Sequence, residues 1–496
     1  MNRPPPAPAI DPNEPKESHP FPAGGASFPG PNLVGSVPMA SPKPPLVGGS
    51  WLFGAARDLQ RDQLGTYGRA LREHGGDLVR FRVGPPRVGI EFDTVFQPDA
   101  ARQVLATDAA CYDKAVPAFD EFRWVMGNGL ITSDGDLWRR DRRIVAPLFT
   151  RRRVASHVGT MSLAAARLVS SWEDTARRGG QVDLQDSGMH YALDVLGQTV
   201  FGDDVERLVP VLRGTVPLLS DFAARRALSA VRVPHSWPTP ANRRADRARR
   251  QLWGVVDELI ANRRKAATAG DDLLGLLLTA HDPETGATLD DPAVRDQALT
   301  FLIAGHETTG TTLAFALSLL GRHDAEQERV REEVRTVVGD GDLAGTHLDG
   351  LRYTAQVVNE ALRLFPSGHT IVRHAHQPAS ISGHEVPAGR VVAISVWGIH
   401  HNPDVWPNPE HFDPGRFDPS HHEGDPDSQG TRYAHLPFGG GPRGCIGQHL
   451  AMAELVVAVA SVVRAFRLES AAAEPELDVA ATLRPRGELL CRLRPV

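Results

Sequence analysis

The pattern of apolar and polar positions along the chain predicts a mainly helical protein. From Trp51 onward, amphipathic stretches with the period of an α-helix alternate with short pieces rich in β-branched residues. Two of these pieces, Asp77 to Gly84 (DLVRFRVG) and Arg390 to Asn402 (RVVAISVWGIHHN), are predicted to be strands. No internal repeat and no second linker rich in proline, glycine and serine follows residue 50. We therefore expect one large domain, mainly α with small β-sheets.

The N-terminal stretch, residues 1–50, has a different composition. It holds 14 of the 40 prolines and almost no periodic apolar pattern. We predict that residues 1–50 form a disordered or extended leader and that residues 51–496 form the domain.

One long helix is predicted from Pro292 to about Gly321, in the stretch PAVRDQALTFLIAGHETTGTTLAFALSLLG. Proline suits its first turn and glycine its end. A helix of about 28 residues would be about 42 Å long, enough to cross the molecule, so much of it must be buried. The segment AGHETTGTT interrupts the apolar run, and its residue types oppose helix formation locally.

The overall charge and the cysteines exclude several classes of protein. The net charge of -6 argues against a nucleic-acid-binding protein that relies on general attraction to phosphates. Cys111, Cys445 and Cys491 are too few and too widely spaced for a disulfide framework or a zinc knuckle. Neither a signal peptide nor a membrane anchor is predicted, and the expected compartment is the reducing cytoplasm.

The stretch FGGGPRGCIG, Phe438 to Gly447, is the strongest candidate for chemistry. Glycines let backbone N–H groups approach a sulfur closely, because no side chain stands in the way. The next stretch, Gly447 to Phe466, has a helical pattern, and a helix N-terminus would favour an anionic sulfur on Cys445. On this stretch alone two interpretations remain open: a thiolate metal ligand, or a buried cysteine that packs as a small apolar residue.

Phe438, Gly441, Arg443, Cys445 and Gly447 match the pattern FxxGxRxCxG, which closely resembles the haem-binding loop of the cytochrome P450 superfamily. The resemblance implies the cytochrome P450 fold over residues 51–496, with a long central helix over the haem. It also implies haem b as the cofactor, with the Cys445 thiolate as the ligand of its iron. Thiolate donation favours cleavage of the O–O bond.

The stretch AGHETT in the long helix resembles a second signature of this family. The resemblance makes Thr308 and Glu307 the catalytic residues: Thr308 would hydrogen-bond oxygen at the haem and Glu307 would help to relay protons. Ala304 and Gly305 would lie against the haem, where Gly305 would leave room for dioxygen and substrate. A structural alternative is that the threonine hydroxyls bond back to carbonyls one turn earlier and bend the helix.

Two further motifs resemble the family. Glu360 and Arg363 lie three residues apart in EALR, and with Arg416 of FDPGRF they would form a buried network that braces the haem loop. Trp138 and Arg142, in WRRDRR, match a WxxxR motif beside the haem edge, where cationic side chains would bind the propionates. The implied cofactor-binding residues are Trp138, Arg142, Ala304, Gly305, Arg373, Phe438, Gly439, Arg443, Cys445 and Gly447.

The substrate pocket is expected to be apolar. By position in the family, its lining comes from Pro117 to Ile131, the long helix around Ala298, Phe301, Leu302 and Ala304, Ser367 to Val372, and the turn near Leu483. His369 is either a group that orients the substrate or a histidine with its own internal partners. The segment Pro210 to Arg250 resembles the mobile lid of the family.

The predicted function is that of a monomeric haem-thiolate monooxygenase, which inserts one atom of O2 into a lipophilic substrate of the fatty acid or terpenoid type. Because the chain ends about 50 residues after Cys445, electrons are expected from a separate ferredoxin or flavodoxin with its reductase. Arginines near Trp138 either form a basic docking patch for that partner or are simply solvated: Arg139, Arg140, Arg143 and Arg151 to Arg153. The alternatives are a peroxide-driven peroxygenase and a non-enzymatic haem sensor or lipophile carrier.

Overall fold

The computed structural model describes residues 43–76, 78–202, 205–227, 229, 232–266, 270–422, 433–471 and 474–496. Most of the predicted leader, residues 1–42, lies outside these ranges. At the end of the predicted leader, Leu46–Val47 form strand β1, which pairs in parallel with the strand Leu78–Val83. The boundary at residue 50 stays a prediction.

Helices make up most of the described residues, so the mainly α class is confirmed. They are α1 (Ala56–Arg61), α2 (Gln63–His74), α3 (Pro98–Arg102), α4 (Pro117–Met126), α5 (Gly135–Val145), α6 (Arg151–Ser156), α7 (Val158–Arg177), α8 (Leu184–Phe201), α9 (Val205–Ala227), α10 (Pro240–Ala266), α11 (Leu273–Thr279), α12 (Asp291–Leu320), α13 (Asp324–Val337), α14 (Arg352–Leu364), α15 (Val396–His400) and α16 (Gln448–Ala465).

The strands form small sheets at the edge of the helical body. Their bounds are β1 (Leu46–Val47), β2 (Leu78–Val83), β3 (Ile90–Val95), β4 (Tyr112–Asp113), β5 (Gln181–Asp183), β6 (Thr370–Ala375), β7 (Ala379–Ile381), β8 (His384–Val386), β9 (Val391–Ser395), β10 (Phe466–Ser470), β11 (Leu477–Val479), β12 (Leu483–Pro485) and β13 (Leu490–Pro495). One sheet has six strands in the order β1-β2-β3-β9-β6-β4, and a second has the order β10-β13-β5. Strands β11 and β12 pair as a hairpin, as do β7 and β8.

The long predicted helix is α12, and its ends agree with the prediction to within one residue. The side chain of Asp290 caps it by accepting a hydrogen bond from the N–H of Ala293, 2.9 Å away, and Pro292 lies in the first turn. The helix continues without a break through AGHETTGTT, because most of its residues are buried and their packing outweighs local preference.

Glycines set the close crossing of α12 and α8. A Cβ on Gly188 would overlap the carbonyl of Gly310, and a Cβ on Gly310 would lie 2.9 Å from the backbone of Gly188. A Cβ on Gly305 would lie 2.9 Å from Leu196 Cδ1. The missing side chains therefore let the two helix backbones approach, which fixes α12 across the core.

The strand predicted from Arg390 to Asn402 is correct only in its first half. Strand β9 ends at Ser395, and α15 follows at once. The Ser395 hydroxyl caps this helix by accepting a hydrogen bond from the N–H of Gly398 at 3.0 Å. The apolar run is buried in both halves, so its pattern did not distinguish a strand from a short helix.

Helix α16, Gln448–Ala465, follows Cys445 as predicted. Among the described residues it is the one helix long and apolar enough to cross a membrane, and 61% of it is buried inside the protein. It packs in the main apolar core through residues such as Leu455, Val459 and Val463.

Candidate active site

A cavity of about 530 Å³ lies between α12 and the loop of Phe438 to Gly447. Among its lining residues are all of the predicted site residues except Glu307: Trp138, Arg142, Ala304, Gly305, Thr308, Arg373, Phe438, Gly439, Arg443, Cys445 and Gly447. Residues about 300 positions apart in the sequence, such as Trp138 and Cys445, therefore line the same cavity.

The glycine-rich loop folds tightly around Cys445. Gly441 has φ 66°, and a Cβ there would overlap the carbonyl oxygen of Leu105, so this position requires glycine. The N–H of Cys445 donates to the carbonyl of Phe438 at 2.8 Å, which closes the loop. The thiol is left facing the cavity just before α16 begins.

Opposing influences act on the Cys445 thiol. Although it is accessible from the cavity, the surrounding protein removes water from it, and this desolvation raises its pKa above the usual value. The N–H groups of Gly447 and Gln448 and the charge of Arg142 act in the opposite direction, because they stabilise the thiolate. The loop thus supplies the donors that an anionic sulfur needs.

Four cationic side chains line the cavity: Lys114, Arg142, Arg373 and Arg443. Arg443 forms an ion pair with Asp134 and lies 4.2 Å from the centre of the Trp138 ring. Burial and then the charge of Arg443 lower the pKa of Arg373 to about 10. This edge of the cavity is therefore rich in positive charge.

Lys114 is a member of this group that the sequence motifs did not identify. Its Nζ donates to the carbonyl of Ile131 at 2.7 Å, and its backbone N–H donates to Asp134 Oδ2 at 2.6 Å. Burial, followed by the charges of Arg373 and Arg443, lowers its pKa well below the usual value. A lone lysine outside any motif gave no signal in the sequence.

These residues fit a haem. Its iron needs a ligand, and the Cys445 thiol faces the cavity. Its ring needs apolar walls, and Ile371, Leu450 and Leu455 contribute to them. Its propionates need cations, and four cationic side chains line the cavity. Asp134 pairs with one of them, Arg443, so positive charge exceeds negative charge at this edge.

Thr308 faces the cavity from α12, one turn after Ala304. Its hydroxyl donates to the carbonyl of Ala304 at 2.7 Å, as the structural alternative predicted. Its own carbonyl accepts hydrogen bonds from the Thr312 hydroxyl at 2.8 Å and from the Ser367 hydroxyl at 3.1 Å. The hydroxyls therefore form a polar seam along an otherwise apolar wall.

Glu307 is directed away from the cavity, towards the β11–β12 hairpin. Its Oε1 accepts a hydrogen bond from the Thr482 hydroxyl at 2.6 Å and lies 3.5 Å from an Arg484 nitrogen. Glu307 is thus adjacent to Thr308 in sequence, but its carboxylate is bound by the β11–β12 hairpin.

Glu360, Arg363 and Arg416 meet in the interior. Arg363 donates to both carboxylate oxygens of Glu360, at 2.7 and 2.8 Å, and both side chains are fully buried. Arg416 Nε lies 3.4 Å from Glu360 Oε1. The backbone N–H of Asp413 also donates to this oxygen, at 3.0 Å. The buried Glu360–Arg363 ion pair therefore has additional partners from outside α14, which offset the cost of burying its charges.

His400 connects this network to the cysteine loop, and no motif predicted it. Its Nε2 accepts a hydrogen bond from the N–H of Leu436 at 2.8 Å, so its Nδ1 carries the proton and donates to the carbonyl of Arg363 at 3.1 Å. Arg363 in turn donates to the carbonyl of His400 at 2.9 Å. Burial lowers the pKa of His400 well below the usual value, which keeps the ring neutral.

The rest of the cavity wall is mainly apolar, as expected. It includes Phe119, Phe122, Leu130, Ile131, Phe301, Val372 and Ala481. Ala298, Leu302 and Leu483 are buried but are not among the lining residues. His369 has internal partners, the Thr370 hydroxyl at 2.9 Å and the Ala480 carbonyl at 3.2 Å, so it does not serve as a free polar group in the cavity.

The segment predicted to resemble a lid consists of α9, a connection and α10. Arg226 near the end of α9 donates to the buried carboxylate of Glu121 on α4 at 2.6 Å. His235 lies 2.9 Å from the same carboxylate, and its ring stacks on Trp124 at 4.3 Å. Because α4 also lines the cavity through Phe119 and Phe122, α9 is tied directly to the cavity wall.

Comparisons with known proteins agree with this geometry. The family model described as Cytochrome P450 matches residues 42–491. Cyclooctat-9-en-7-ol 5-monooxygenase of Streptomyces melanosporofaciens is 36% identical over 394 residues, which are 79% of this chain and 83% of the relative. Cyclooctatin synthase of the same organism is 34% identical over 424 residues, 85% of this chain and 89% of the relative. The crystal structure of the cytochrome P450DA heme domain has a TM-score of 0.79 at 28% identity, over 92% of this chain and 98% of that chain.

A mainly helical fold that surrounds one apolar cavity with a loop cysteine, a helix threonine and a cationic edge is the architecture of a haem-dependent oxidoreductase. The family match extends over nearly all of the described residues. The chain belongs to the cytochrome P450 family and is a monooxygenase.

Proposed function

We propose that this protein inserts one atom of O2 into a lipophilic small molecule, using haem b held by the Cys445 thiolate. The observation that carries the proposal is that Cys445, in a loop of N–H donors, and Thr308 on α12 line the same apolar cavity. Haem with a thiolate ligand supplies oxygen activation that favours O–O cleavage. The roles of this chain's own residues follow from where their side chains lie.

The cationic edge would hold the haem propionates. Arg142, Arg373 and Arg443 would do so together with the Trp138 N–H and with Lys114, and each lines the cavity. Phe438 and Gly439 would pack beside the sulfur, and the N–H of Gly447 would stabilise its thiolate form. Ala304 and Gly305 would form the flat wall of α12 that faces the ring.

Thr308 and Glu307 would supply protons. The Thr308 hydroxyl faces the cavity, where it can donate to dioxygen once it leaves the Ala304 carbonyl. Glu307, the residue before Thr308, lies on the hairpin side of α12, where its carboxylate contacts the partly exposed Thr482 and Arg484. Together the two side chains would link the cavity to the hairpin side of α12, along which protons would be supplied.

A terpenoid is the preferred substrate class, with fatty acids as the second. The cavity wall is aliphatic and aromatic, which suits either class. The name of one relative describes a monooxygenase that acts on cyclooctat-9-en-7-ol, and that relative is 36% identical. This name favours the terpenoid type for the present chain.

Electrons would come from a separate ferredoxin or flavodoxin with its reductase, and the protein would act as a cytoplasmic monomer with all three cysteines free. The docking patch is narrower than the sequence indicated, because the α5 arginines have acidic partners: Arg139 with Asp136, Arg140 with Asp141 and Arg143 with Asp282. Exposed Arg151, Arg152 and Arg153 on α6 would then supply the contact with an acidic partner.

Two probes test this function: geranylgeraniol for terpenoids and lauric acid for fatty acids. We expect geranylgeraniol to shift the ferric protein from low spin to high spin and to be oxygenated with NADPH, a ferredoxin and its reductase. Oxygenation that needs only hydrogen peroxide would instead support a peroxygenase. Binding of the probe without turnover in either system would support a carrier and would contradict the proposal.

Thr308→Ala should retain haem and the spin shift but divert electrons from product to hydrogen peroxide. The hydroxyl that faces the cavity is lost, while the backbone of α12 is preserved. Loss of one positioned proton donor costs about 100-fold in the product-forming step. The ratio of product to peroxide per NADPH measures this effect.

Thr336→Ala is the matched control for Thr308→Ala. The Thr336 hydroxyl also bonds back to a carbonyl one turn earlier, but Thr336 lies exposed on α13. An unchanged ratio in Thr308→Ala would make the hydroxyl purely structural.

Lys114→Met should transfer haem to apomyoglobin about tenfold faster than the wild type, since one charged hydrogen bond to a propionate is lost. Methionine keeps an unbranched side chain that can pack against the cavity, and it removes the charged terminal group. Lys265→Met, on the exposed face of α10, removes the same charge far from the site and serves as the control. Equal transfer rates in all three proteins would remove Lys114 from the cofactor site.

A further inference from the structure

Arg484, on strand β12, lies between three carboxylates from three different elements. Its Nε donates to Asp478 Oδ2 of β11 at 3.0 Å, and one of its terminal nitrogens, Nη1, donates to Asp221 Oδ1 of α9 at 3.1 Å. The same Nη1 lies 3.5 Å from Glu307 Oε1 of α12. Arg484 therefore contacts both the lid helix and the carboxylate beside Thr308.

Both carboxylates attract the same Nη1 atom, and the position of the guanidinium decides which of them it approaches more closely. Asp221 is within hydrogen-bond distance of Nη1, whereas Glu307 is only within ion-pair distance. Glu307 keeps its closer contact with the Thr482 hydroxyl, at 2.6 Å. In this arrangement α9 holds the guanidinium, and Glu307 is only loosely paired with it.

The position of α9 decides whether Asp221 is present to compete. Five residues further along α9, Arg226 is bound to the buried Glu121 of α4. The C-terminal part of α9 is thus bound to the cavity wall through Arg226 and to the β11–β12 hairpin through Asp221. If α9 lifts away, both ties break, and Arg484 is left with Asp478 and Glu307.

We propose that Arg484 is a positioning residue which couples the lid to proton supply. When α9 is docked, Asp221 holds Arg484, so the Thr482 hydroxyl is the closer partner of Glu307, and Glu307 can turn towards Thr308 by breaking that one hydrogen bond. When α9 is lifted, Arg484 binds Glu307 and immobilises it. Proton transfer is then permitted only with the cavity closed, which protects the oxygenation step from water. This inference rests on the role proposed above for Glu307.

The first test is structural and needs no turnover. A crystal structure of the Asp221→Asn holoprotein should show the Arg484 Nη1 to Glu307 Oε1 distance shortened from 3.5 Å to hydrogen-bond range, below about 3.2 Å. Asparagine keeps the shape of the side chain and removes the charge that competes with Glu307. If the distance stays at the wild-type value, the proposal that Arg484 exchanges Asp221 for Glu307 is overturned.

The second test measures how the electrons from NADPH are divided between product and hydrogen peroxide. The assay contains geranylgeraniol as the probe, NADPH, a ferredoxin and its reductase. Asp221→Asn should lower product per NADPH about threefold, the effect of a partly exposed ion pair on Glu307, with a matching rise in hydrogen peroxide. In the Arg484→Gln background the same Asp221→Asn change should have no effect, because the group that transmits it is absent.

Arg486→Gln is the matched control. It removes an arginine two residues along, whose exposed partner is Glu476 at 3.8 Å, and it should leave both the distance and the product share unchanged. The proposal is overturned if Asp221→Asn lowers product equally with and without Arg484, or does not lower it at all. If the wild type oxygenates neither geranylgeraniol nor lauric acid, the proposed function fails, and the crystal distance alone decides whether Arg484 changes partner.

Discussion

Cys445→Ser is expected to lose all O2-dependent product formation together with the red-shifted Soret band of the ferrous carbon monoxide complex. An alcohol is a far weaker acid than a thiol, so the N–H groups of Gly447 and Gln448 would surround a neutral hydroxyl. The absorption spectrum and the product yield with geranylgeraniol measure the two losses.

Cys111→Ser is the control for this change. Cys111 is half-buried outside the cavity and accepts a hydrogen bond from the Gln377 amide at 3.1 Å, so its variant should keep both the band and the activity. Retention of the red-shifted band in Cys445→Ser would show that another group ligates the iron.

Arg363→Met is expected to destabilise the fold by about 3–5 kcal/mol, because it leaves the Glu360 carboxylate buried without its partner. The substitution also removes donors to the carbonyls of His400 and His411. Since His400 supports Leu436 just before the cysteine loop, the haem content of the purified protein should fall as well. The midpoint of urea unfolding and the ratio of haem to protein measure the two effects.

An exposed pair with the same spacing provides the comparison. Arg177 and Asp174 on α7 are also three residues apart, but both are largely exposed. Arg177→Met should therefore leave the urea midpoint unchanged. Equal midpoints for the two variants would contradict the claim that burial makes the Glu360–Arg363 pair structurally essential.

The features that could be predicted from the sequence are those with a local signature. The ends of α12 follow from Asp290, Pro292 and the length of the apolar run. The cysteine loop follows from its glycines and from the helix after it, because close backbone approach needs residues without a Cβ. Spacing on a helix likewise placed Glu360 beside Arg363.

Features that depend on contacts between distant segments could not be predicted. Lys114 joins the cationic edge only because the segment before α4 folds back onto the cysteine loop. His400 supports that loop through Leu436, 36 residues away. Glu307 was expected to help relay protons, and the sequence did not show that its carboxylate faces the hairpin that carries Thr482 and Arg484, since helical spacing directs adjacent residues to different sides.

Gly305 illustrates the same limit. The family resemblance implied that its missing side chain leaves room for dioxygen and substrate, and its backbone does line the cavity. The direction of its absent Cβ, however, is towards Leu196 of α8. Helix packing therefore also favours glycine here, a preference that only the crossing of α8 and α12 reveals.

The absorption spectrum of the purified wild-type protein, reduced and saturated with carbon monoxide, tests the central claim most directly. A Cys445 thiolate on haem iron predicts the strongly red-shifted Soret band that thiolate donation produces. A Soret band at the position typical of haem with an imidazole ligand, or a protein that retains no haem, would contradict the account.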